Sequence, residues 1–307
     1  MSPETRETRL FPKLASIFPR KGGCFLKKSI FYVLIVAAGI LLGVLAFSSY
    51  MLISDQLEHK ESRDKDSSAS DVYRLPGNPS QAGNGGGGQA NSQPAGSPDP
   101  RTYDSDVIGQ IQLDPEISPL NAMYDLSKFF SDYPDAIGWI YCPNSKIDYG
   151  VVEAEENDYY LHRFYDGSYS VGGSLFADCC NARDFSDENT VIYGHNMGDK
   201  TKFGLLIYYK EQYYYDEHPV MYINTPRMNY RLELFTAFLT DADSDVYTFN
   251  FESEEAYGAW LKKVCAESDF KCDVSVTTKD RVVTLSTCSY EYYDARYVVI
   301  GKLVPIH

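Results

Sequence analysis

An uninterrupted apolar run extends from Ser29 to Ser54 and contains no charged residue. As an α-helix it would rise about 39 Å, which exceeds the roughly 30 Å hydrocarbon thickness of a bilayer. A buried core helix would show a polar face, and this run has none. A cleaved signal peptide usually has a shorter apolar region, and Ala46-Phe47-Ser48-Ser49 is a poor cleavage site. The run therefore predicts an uncleaved transmembrane anchor at residues 29–54.

The charges that flank this run set its expected orientation. Basic residues dominate residues 1–28, whereas Asp55 and Glu58 follow the run. The positive-inside bias places residues 1–28 in the cytoplasm as a basic segment and the rest of the chain outside the cell. The whole chain has a formal net charge of −15, and the exported part without its basic segment is more acidic still. Such a surface repels phosphate backbones, which excludes a nucleic-acid partner.

A change of composition follows the anchor. From about Glu61 to Tyr103 the residues are mostly Asp, Ser, Asn, Gln, Gly and Pro, with consecutive glycines from Gly85 to Gly88. Such a segment cannot bury enough apolar surface to offset its chain entropy. We therefore expect residues 55–114 to form a flexible extracellular stalk, and residues 115–307 to form a folded domain.

The pattern within the folded domain is mainly that of short strands. Two helical stripes are present, one over residues 120–130 and one over residues 251–266, where Ser253 suits the start of a helix. Runs of β-branched and aromatic residues predict strands at 137–141, 147–152, 173–177, 190–193, 221–223, 230–239, 274–276, 282–287 and 297–303. Many short strands with few helices predict an antiparallel or mixed β-barrel with peripheral helices.

The cysteines do not form the pattern of a disulfide framework or a metal site. Of the seven, Cys24 precedes the anchor, and the chain contains no C-x-x-C pair. The folded domain is large enough to be stable on its own core, so most cysteines are expected to be free, and the favoured pair is Cys265 with Cys272. Adjacent Cys179 and Cys180 are poorly spaced for chelating one ion, so neither a metal nor another cofactor is expected.

Three residues at predicted strand ends carry the candidate chemistry. Cys288 ends the run Arg281-Val-Val-Thr-Leu-Ser-Thr-Cys, and His195 lies near the end of Thr190-Val-Ile-Tyr-Gly-His-Asn-Met. Arg296 follows Cys288 by eight residues, next to another apolar run. Individually they would more often be a buried cysteine, a structural histidine and an arginine in a surface ion pair. Together, a thiol, an imidazole and a guanidinium are the components of an enzyme that forms a thioacyl intermediate.

Several segments, in order, resemble those of class B sortases, which are cysteine transpeptidases of Gram-positive cell surfaces. The resemblance covers roughly residues 115–307 and includes Thr-Leu-Ser-Thr-Cys288, Ile137-Gly-Trp-Ile140, Asn157-Asp-Tyr-Tyr-Leu161, Gly172-Gly-Ser-Leu-Phe176, Tyr193-Gly-His-Asn-Met197, Phe203-Gly204 and His218-Pro219. It implies a mainly β fold, namely a closed sortase barrel of about eight strands with an N-terminal helix and a helix inserted before the last strands.

The resemblance also implies a role for each candidate residue. Cys288 would be the nucleophile, and His195 would protonate the departing amine and deprotonate the incoming one. Arg296 would bind the substrate backbone and stabilise the oxyanion. Asn157, Leu161, Tyr193 and Ser286 occupy positions similar to those that line the substrate groove, although packing in the core is an alternative for Leu161 and Tyr193. Cys179-Cys180 departs from the aromatic or basic residues expected there, which puts the nearby surface in doubt.

The implied function is that of a membrane-anchored transpeptidase with a cytoplasmic N-terminus and an extracellular catalytic domain. Its expected substrates are surface proteins with an LPxTG- or NPxTN-like C-terminal sorting signal, cleaved after Thr. The acyl group would pass to an amine of a peptidoglycan precursor or of a pilin. Two alternatives remain at this point. One is a cysteine endopeptidase that uses water as the acceptor, and the other is a catalytically silent surface-binding module.

Overall fold

The computed structural model describes residues 22–76 and 116–307. The chain separates into two units, Met1–Gln56 and Leu57–His307. Helix α1 (Gly22–Tyr73) begins in the first unit and ends in the second. Among the described helices it is the one long and apolar enough, by length and composition, to span a membrane. Most of the predicted basic segment, residues 1–21, lies outside the described residues.

The prediction of a flexible stalk is wrong for its first part. Residues 57–73 are helical and belong to the same unit as the folded domain. Ser62, Asp66, Ala69 and Tyr73 are buried, and their spacing places them on one face of the helix. This face is mostly polar or small, so it lacks the apolar stripe by which an amphipathic helix is usually identified. The rest of the predicted stalk, residues 77–115, lies outside the described residues.

The first predicted helix of the domain is divided into two short helices, α2 (Leu120–Met123) and α3 (Leu126–Asp132). The division falls at Tyr124, which is extended and forms an isolated bridge with Arg74. Asp125 then caps α3 by accepting a hydrogen bond from the Lys128 amide. Contact with the end of α1 therefore replaces one turn of regular helix.

Eight strands form the closed barrel that was expected, and they lie close to the predicted positions. They are β1 (Ala136–Tyr141), β2 (Asp148–Val152), β3 (Leu175–Ala177), β4 (Asn189–Tyr193), β5 (Val220–Asn224), β6 (Asn229–Asp241), β7 (Val282–Cys288) and β8 (Ala295–Ile306). Their order around the barrel is β1-β2-β3-β4-β7-β8-β6-β5. The β2/β3 and β4/β7 pairs are parallel, and the other pairs are antiparallel. The mixed barrel is thus confirmed.

The predicted strand at 274–276 does not form. Residues 271–277 have no regular structure, although Val274 and Val276 are partly buried against the core. Their alternation reflects packing of an irregular segment beside helix α5 (Glu254–Ala266), rather than membership of a sheet. The predicted inserted helix is confirmed as α5, and the Ser253 side chain caps it by accepting from the Ala256 amide.

The core has an interior part and two outer parts. The barrel interior is filled by fully buried side chains such as Ile140, Val151, Leu175, Leu285 and Val299. One outer cluster lies between the barrel and the helices α1, α2 and α3, and another lies under α5. A helix α4 (Gln212–Glu217) precedes β5. The helices are therefore peripheral, and one edge of the barrel is left for the candidate residues.

Candidate active site

Strand topology brings Cys288 and His195 to the same edge of the barrel. Strands β4 and β7 are parallel, with Tyr193 paired with Ser286, so both strands end at this edge. The register continues past the strands, because the Gly194 amide donates to the Ser286 carbonyl at 3.0 Å. The Asn196 side chain then donates to the carbonyl of Cys288 itself at 2.9 Å. The residues on both sides of His195 are therefore bonded to the end of β7.

Arg296 lies directly across from the cysteine. Strands β7 and β8 are antiparallel, and Cys288 pairs with Arg296 in their ladder. The short connection between them is closed where the Ser289 amide donates to the Ala295 carbonyl at 2.9 Å. Cys288 and Arg296 are both half-buried, whereas the preceding residues of β7 are fully buried. Cys288 and Arg296 therefore lie on neighbouring strands, and His195 lies in the loop that directly follows β4, at one partly open edge.

The hydrogen bond of His195 defines its resting state. Its Nε2 atom lies 2.7 Å from the carbonyl oxygen of Leu161, and because a carbonyl can only accept, Nε2 carries the proton. The ring stacks on that of His162 at 5.3 Å between centroids. Burial lowers the pKa of His195, and the nearby charges of His162 and Lys202 lower it further, while the Leu161 carbonyl opposes them. These contacts favour a neutral imidazole whose Nδ1 atom can accept a proton.

Arg296 and Cys288 share a neighbour that the sequence did not indicate. Burial raises the pKa of Tyr247, the charge of Arg296 opposes this effect, and Cys288 adds to it. The Tyr247 hydroxyl lies 3.0 Å from the Oγ atom of Ser286. Tyr247 belongs to a single helical turn between β6 and α5, where no strand-end pattern or motif marks it. It therefore lies beside the reactive edge because of the fold alone.

The four predicted groove residues are connected to this edge in different ways. Asn157 and Tyr193 both donate to the same Asp178 oxygen, at 3.0 and 2.9 Å. Leu161 is exposed and contributes its carbonyl to His195, which argues against the core-packing alternative for its side chain. Tyr193 is half-buried and packs against Phe176, so packing in the core and a place in the predicted groove are both compatible with its position. Ser286 is buried, and its hydroxyl is bonded to Tyr247 rather than exposed.

Comparison with known proteins identifies the family. A sortase domain matches residues 140–304. Sortase B of Listeria monocytogenes is 37% identical over 172 residues, which cover 55% of this chain and 70% of the relative. Sortase B of Staphylococcus aureus is 32% identical over 174 residues, which cover 56% and 71%. The structure of the S. aureus sortase B–substrate complex matches with a TM-score of 0.57 and 30% identity, over 59% of this chain and 85% of the other.

This chain is a class B sortase. As a member of that family it is a cysteine transpeptidase that acts on surface proteins. The apolar helix near the N-terminus and the family together indicate a membrane-anchored enzyme of the cell surface. The silent binding module considered from the sequence is therefore set aside.

Two glycines of the sequence motifs are explained by close contacts in this sortase. Gly173 has φ +56°, and a Cβ atom there would lie 2.3 Å from the Leu161 carbonyl oxygen that binds His195. A Cβ atom at Gly194 would lie 2.4 Å from the Leu175 side chain and 2.7 Å from Phe203. Both positions therefore exclude larger residues, because Gly173 lies against the Leu161 backbone and Gly194 lies against two packed side chains.

All six cysteines whose side chains are described are free, so the favoured Cys265–Cys272 pair is wrong and the expectation of mostly free cysteines holds for them. Cys179 and Cys180, expected from the sequence to be poorly spaced for chelation, lie near Asp178, and the potential ligand atoms of the three residues all lie within 4.8 Å of one another. However, Asp178 already accepts from Asn157, Tyr193 and the Cys180 amide. Asp178 thus holds the side chains of the two predicted groove residues Asn157 and Tyr193.

Proposed function

We propose that Cys288, His195 and Arg296 are the catalytic residues of this class B sortase. The observation that supports this assignment most strongly is their juxtaposition at the ends of β4, β7 and β8, with Cys288 paired to Arg296 and the His195 segment bonded to the Cys288 carbonyl. The Cys288 thiolate attacks the carbonyl carbon of the threonine in a sorting signal. The C–N bond then breaks, and a thioacyl enzyme forms.

His195 moves the proton in both half-reactions. Its neutral state at rest fits a base whose Nδ1 atom is available while Nε2 is held by the Leu161 carbonyl. It takes the thiol proton and gives it to the leaving amine, and in the second half-reaction it takes a proton from the incoming amine. The amine attacks the thioester carbon, the C–S bond breaks, and a new amide is released.

Arg296 stabilises the negative charge that develops on the carbonyl oxygen in both steps. Its NH1 atom donates to the Ala295 carbonyl at 3.1 Å, which fixes one side of the guanidinium and leaves other N–H groups for a substrate. A fixed, always charged donor aimed at a developing oxyanion is the arrangement that contributes most in acyl transfer.

The surface formed by Asn157, Leu161, Tyr193 and Ser286 is proposed to bind the sorting signal of a surface protein. A solved S. aureus sortase B in complex with its substrate supports this class of ligand. Exposed Asn157 can bond an extended peptide backbone, and exposed Leu161 can form an apolar wall. Ser286 is buried and would contribute through Tyr247, to which it is bonded. The signal is an LPxTG- or NPxTN-like sequence, cleaved after its threonine.

The acceptor is proposed to be an amine of a peptidoglycan precursor or of a pilin. In this proposal the helix that contains residues 29–54 is a single-pass anchor, with residues 1–28 in the cytoplasm and the catalytic domain outside the cell. The basic residues before the apolar run and the acidic residues after it support this orientation.

The experiment that tests the function is product analysis by mass spectrometry. The full chain in detergent is incubated with a library of sorting-signal peptides, together with triglycine or diaminopimelate as the amine. We expect an amide-linked product, formed by the wild type and absent with Cys288→Ala. A product with a free threonine carboxylate, with no amide formed at saturating amine, would instead identify the enzyme as an endopeptidase that uses water.

A further inference from the structure

The part of α1 that follows Gln56 is bonded to the two segments that hold His195. These segments are the loop over residues 160–173, which contains the Leu161 carbonyl, and the loop over residues 194–203, which contains His195 itself. The polar bonds from the helix include Ser62 to Ser170 (2.9 Å), Lys65 to the Tyr169 carbonyl (2.8 Å), Arg63 to Asp199 (2.6 Å) and Asp66 to Lys202 (2.7 Å). The helix therefore contacts the segments on both sides of the proposed base.

The ion pair between Asp66 and Lys202 is the buried member of this set. Lys202 is 1% exposed and Asp66 is 9% exposed, whereas Arg63, of the Arg63–Asp199 pair, is largely exposed. A buried ammonium that lacks its carboxylate would be strongly unfavourable, so Lys202 can occupy this position only with a partner. The desolvation of Asp66 raises the pKa of its carboxyl, and the charge of Lys202 opposes that change.

Lys202 in turn fixes the backbone of the His195 loop. Asn196 and Lys202 form an isolated β-bridge, and the next residue, Phe203, donates its amide to the His195 carbonyl at 3.0 Å. Lys202 has φ +53°, a conformation that a non-glycine residue adopts only when its surroundings hold it. The loop between these residues is therefore closed at its base, and the base is tied to the helix through the Lys202 side chain.

The same helix contacts the other segment at close range. A Cβ atom at Gly172 would lie 2.7 Å from Ser62 Oγ and 3.4 Å from Lys202 Cε, so the helix and both loops meet at this point. The Ser170 amide donates to the His162 carbonyl, which connects the contact to the His162 ring stacked on His195. Movement of the helix would thus change both the ring that stacks on His195 and the backbone that carries it.

We propose that Asp66 is a positioning residue for His195. Through Lys202 it holds the loop over residues 194–203, which carries the imidazole and is bonded through Asn196 to the Cys288 carbonyl. The helical segment that directly follows the apolar span is, on this view, part of the catalytic machinery and not a spacer. This inference rests on the proposed role of His195 as the general acid and base.

The test uses the full chain in detergent and measures kcat and KM for transfer of a sorting-signal peptide to triglycine. The variants are Asp66→Asn, Asp66→Glu and the matched control Asp64→Asn, which changes an exposed aspartate on the same helix. We expect Asp66→Asn to lower kcat roughly ten- to a hundredfold with KM within about twofold, because a displaced catalytic group affects the chemical step more than peptide binding. Asp66→Glu should recover part of kcat, and Asp64→Asn should match the wild type.

A structural role alone would give a different result. In that case kcat would fall only in proportion to the unfolded fraction, which circular dichroism measures. A folded Asp66→Asn protein with wild-type kcat overturns the proposal. If Asp66→Asn does not fold, the double variant Asp66→Leu with Lys202→Met removes both charges and takes its place. Wild-type kcat in that folded double variant also overturns the proposal.

A parallel His195→Ala variant separates this inference from the proposed function. If His195→Ala keeps its turnover, the assignment of the base is wrong, and the positioning role is wrong with it. If His195→Ala is inactive while folded Asp66→Asn has wild-type kcat, only the positioning role is wrong.

Discussion

At the scale of single residues, the six cysteines whose side chains are described differ in accessibility rather than in chemistry. Cys142 is completely buried, and burial raises its pKa to about 12, so it is a poor nucleophile near neutral pH. Cys288 is half-buried at a strand end, paired with Arg296 of β8 and bonded through its carbonyl to the His195 loop. A single side chain of this set is therefore both accessible and placed among groups that can assist acyl transfer.

We expect Cys288→Ala to abolish formation of the thioacyl enzyme, because Cys288 is the described thiol that pairs with Arg296 and is bonded to the His195 loop. Cys265→Ala, at an exposed position on α5, should keep most of the activity. The measurement is intact-protein mass spectrometry after incubation with peptide, together with inactivation by a methanethiosulfonate reagent. Turnover in folded Cys288→Ala, or inactivation of the wild type by modification of another cysteine, would contradict the assignment.

Arg296→Lys should lower the rate of acylation strongly even though the positive charge remains. A guanidinium offers a planar set of donors that can hold a carbonyl and the developing oxyanion together, whereas an ammonium is a flexible point charge. The loss of one oriented oxyanion donor costs about 3 to 4 kcal/mol, or roughly a hundred- to a thousandfold in rate. Single-turnover kinetics measure this step.

The matched control for this substitution is Arg227→Lys, at an exposed position in the turn between β5 and β6. Both variants should unfold at nearly the wild-type temperature. If Arg296→Lys keeps more than about a third of the wild-type rate, Arg296 is a surface residue of small effect, and the oxyanion donor lies elsewhere.

The candidate residues proposed from the sequence all lie at or near the ends of predicted strands. A polar residue that follows a β-branched run can be recognised from the sequence alone. Cys288, His195 and Arg296 belong to this group. The contact of Tyr247 with Ser286 and the bond of the Leu161 carbonyl to His195 were not predictable, because each joins segments far apart in sequence. Backbone groups also carry no sequence signature. The part of the site built by side chains at strand ends could thus be predicted, and the part built by loop backbone could not.

At the scale of secondary-structure elements, the strands were predicted correctly, whereas the helix over residues 57–73 and the irregular segment over residues 274–276 were not. Strands buried on their inner face have a pattern with a period of two residues, which the short runs showed. The polar face of α1 binds by an ion pair and hydroxyls instead of by apolar contact, so composition alone suggested a flexible segment. Residues 274–276 alternate in exposure without pairing with a strand. Periodicity alone cannot distinguish such an irregular segment from a strand of a sheet.

Asp148 of β2 joins the ends of α1 and α2 to the barrel, and its burial makes their attachment depend on pH. It accepts from the Tyr124 hydroxyl and from Trp139 Nε1, and it lies 3.7 Å from Arg74. Burial raises its pKa from 3.8 to about 6, and these three partners oppose the change. Between these two pH values the folded state binds more protons than the unfolded state. Stability from this group is therefore lost as pH rises from about 4 to about 6.

We expect Asp148→Asn to remove this pH dependence, since the amide cannot ionise. The free energy of unfolding of the wild type, relative to that of the variant, should decrease by up to about 3 kcal/mol between pH 3.5 and pH 7. Urea unfolding at several pH values measures the difference. A difference that stays constant over this range, or that grows with pH, would show that the pKa of Asp148 is not raised in the folded state.

At the scale of the whole molecule, the division at Gln56 separates the apolar span from a catalytic unit that includes the end of α1. Buried Tyr73 packs its ring against Phe129 at 5.3 Å, and the Asp125 amide donates to the Tyr73 carbonyl at 2.7 Å. These contacts join the helix to the outer cluster between the barrel and α3. The smallest stable catalytic unit should therefore begin near Leu57 and not after the predicted stalk.

A chain of residues 57–307 should be soluble and folded, whereas one of residues 77–307 should be markedly less stable. The shorter chain lacks Asp66, the partner of Lys202, and Arg74, the partner of Asp148, and both remaining groups are buried in the full chain. Removal of one partner of a buried ion pair costs about 3 to 5 kcal/mol. Even the lower value corresponds to a decrease in Tm of roughly 6 to 12 °C for a domain of this size. Differential scanning calorimetry of the two chains measures the decrease.

A synthetic peptide of residues 57–76 should restore part of the lost melting temperature, and the same peptide with Asp66→Asn should restore less. Equal melting temperatures for the two chains would mean that the helix contributes nothing to the stability of the catalytic unit.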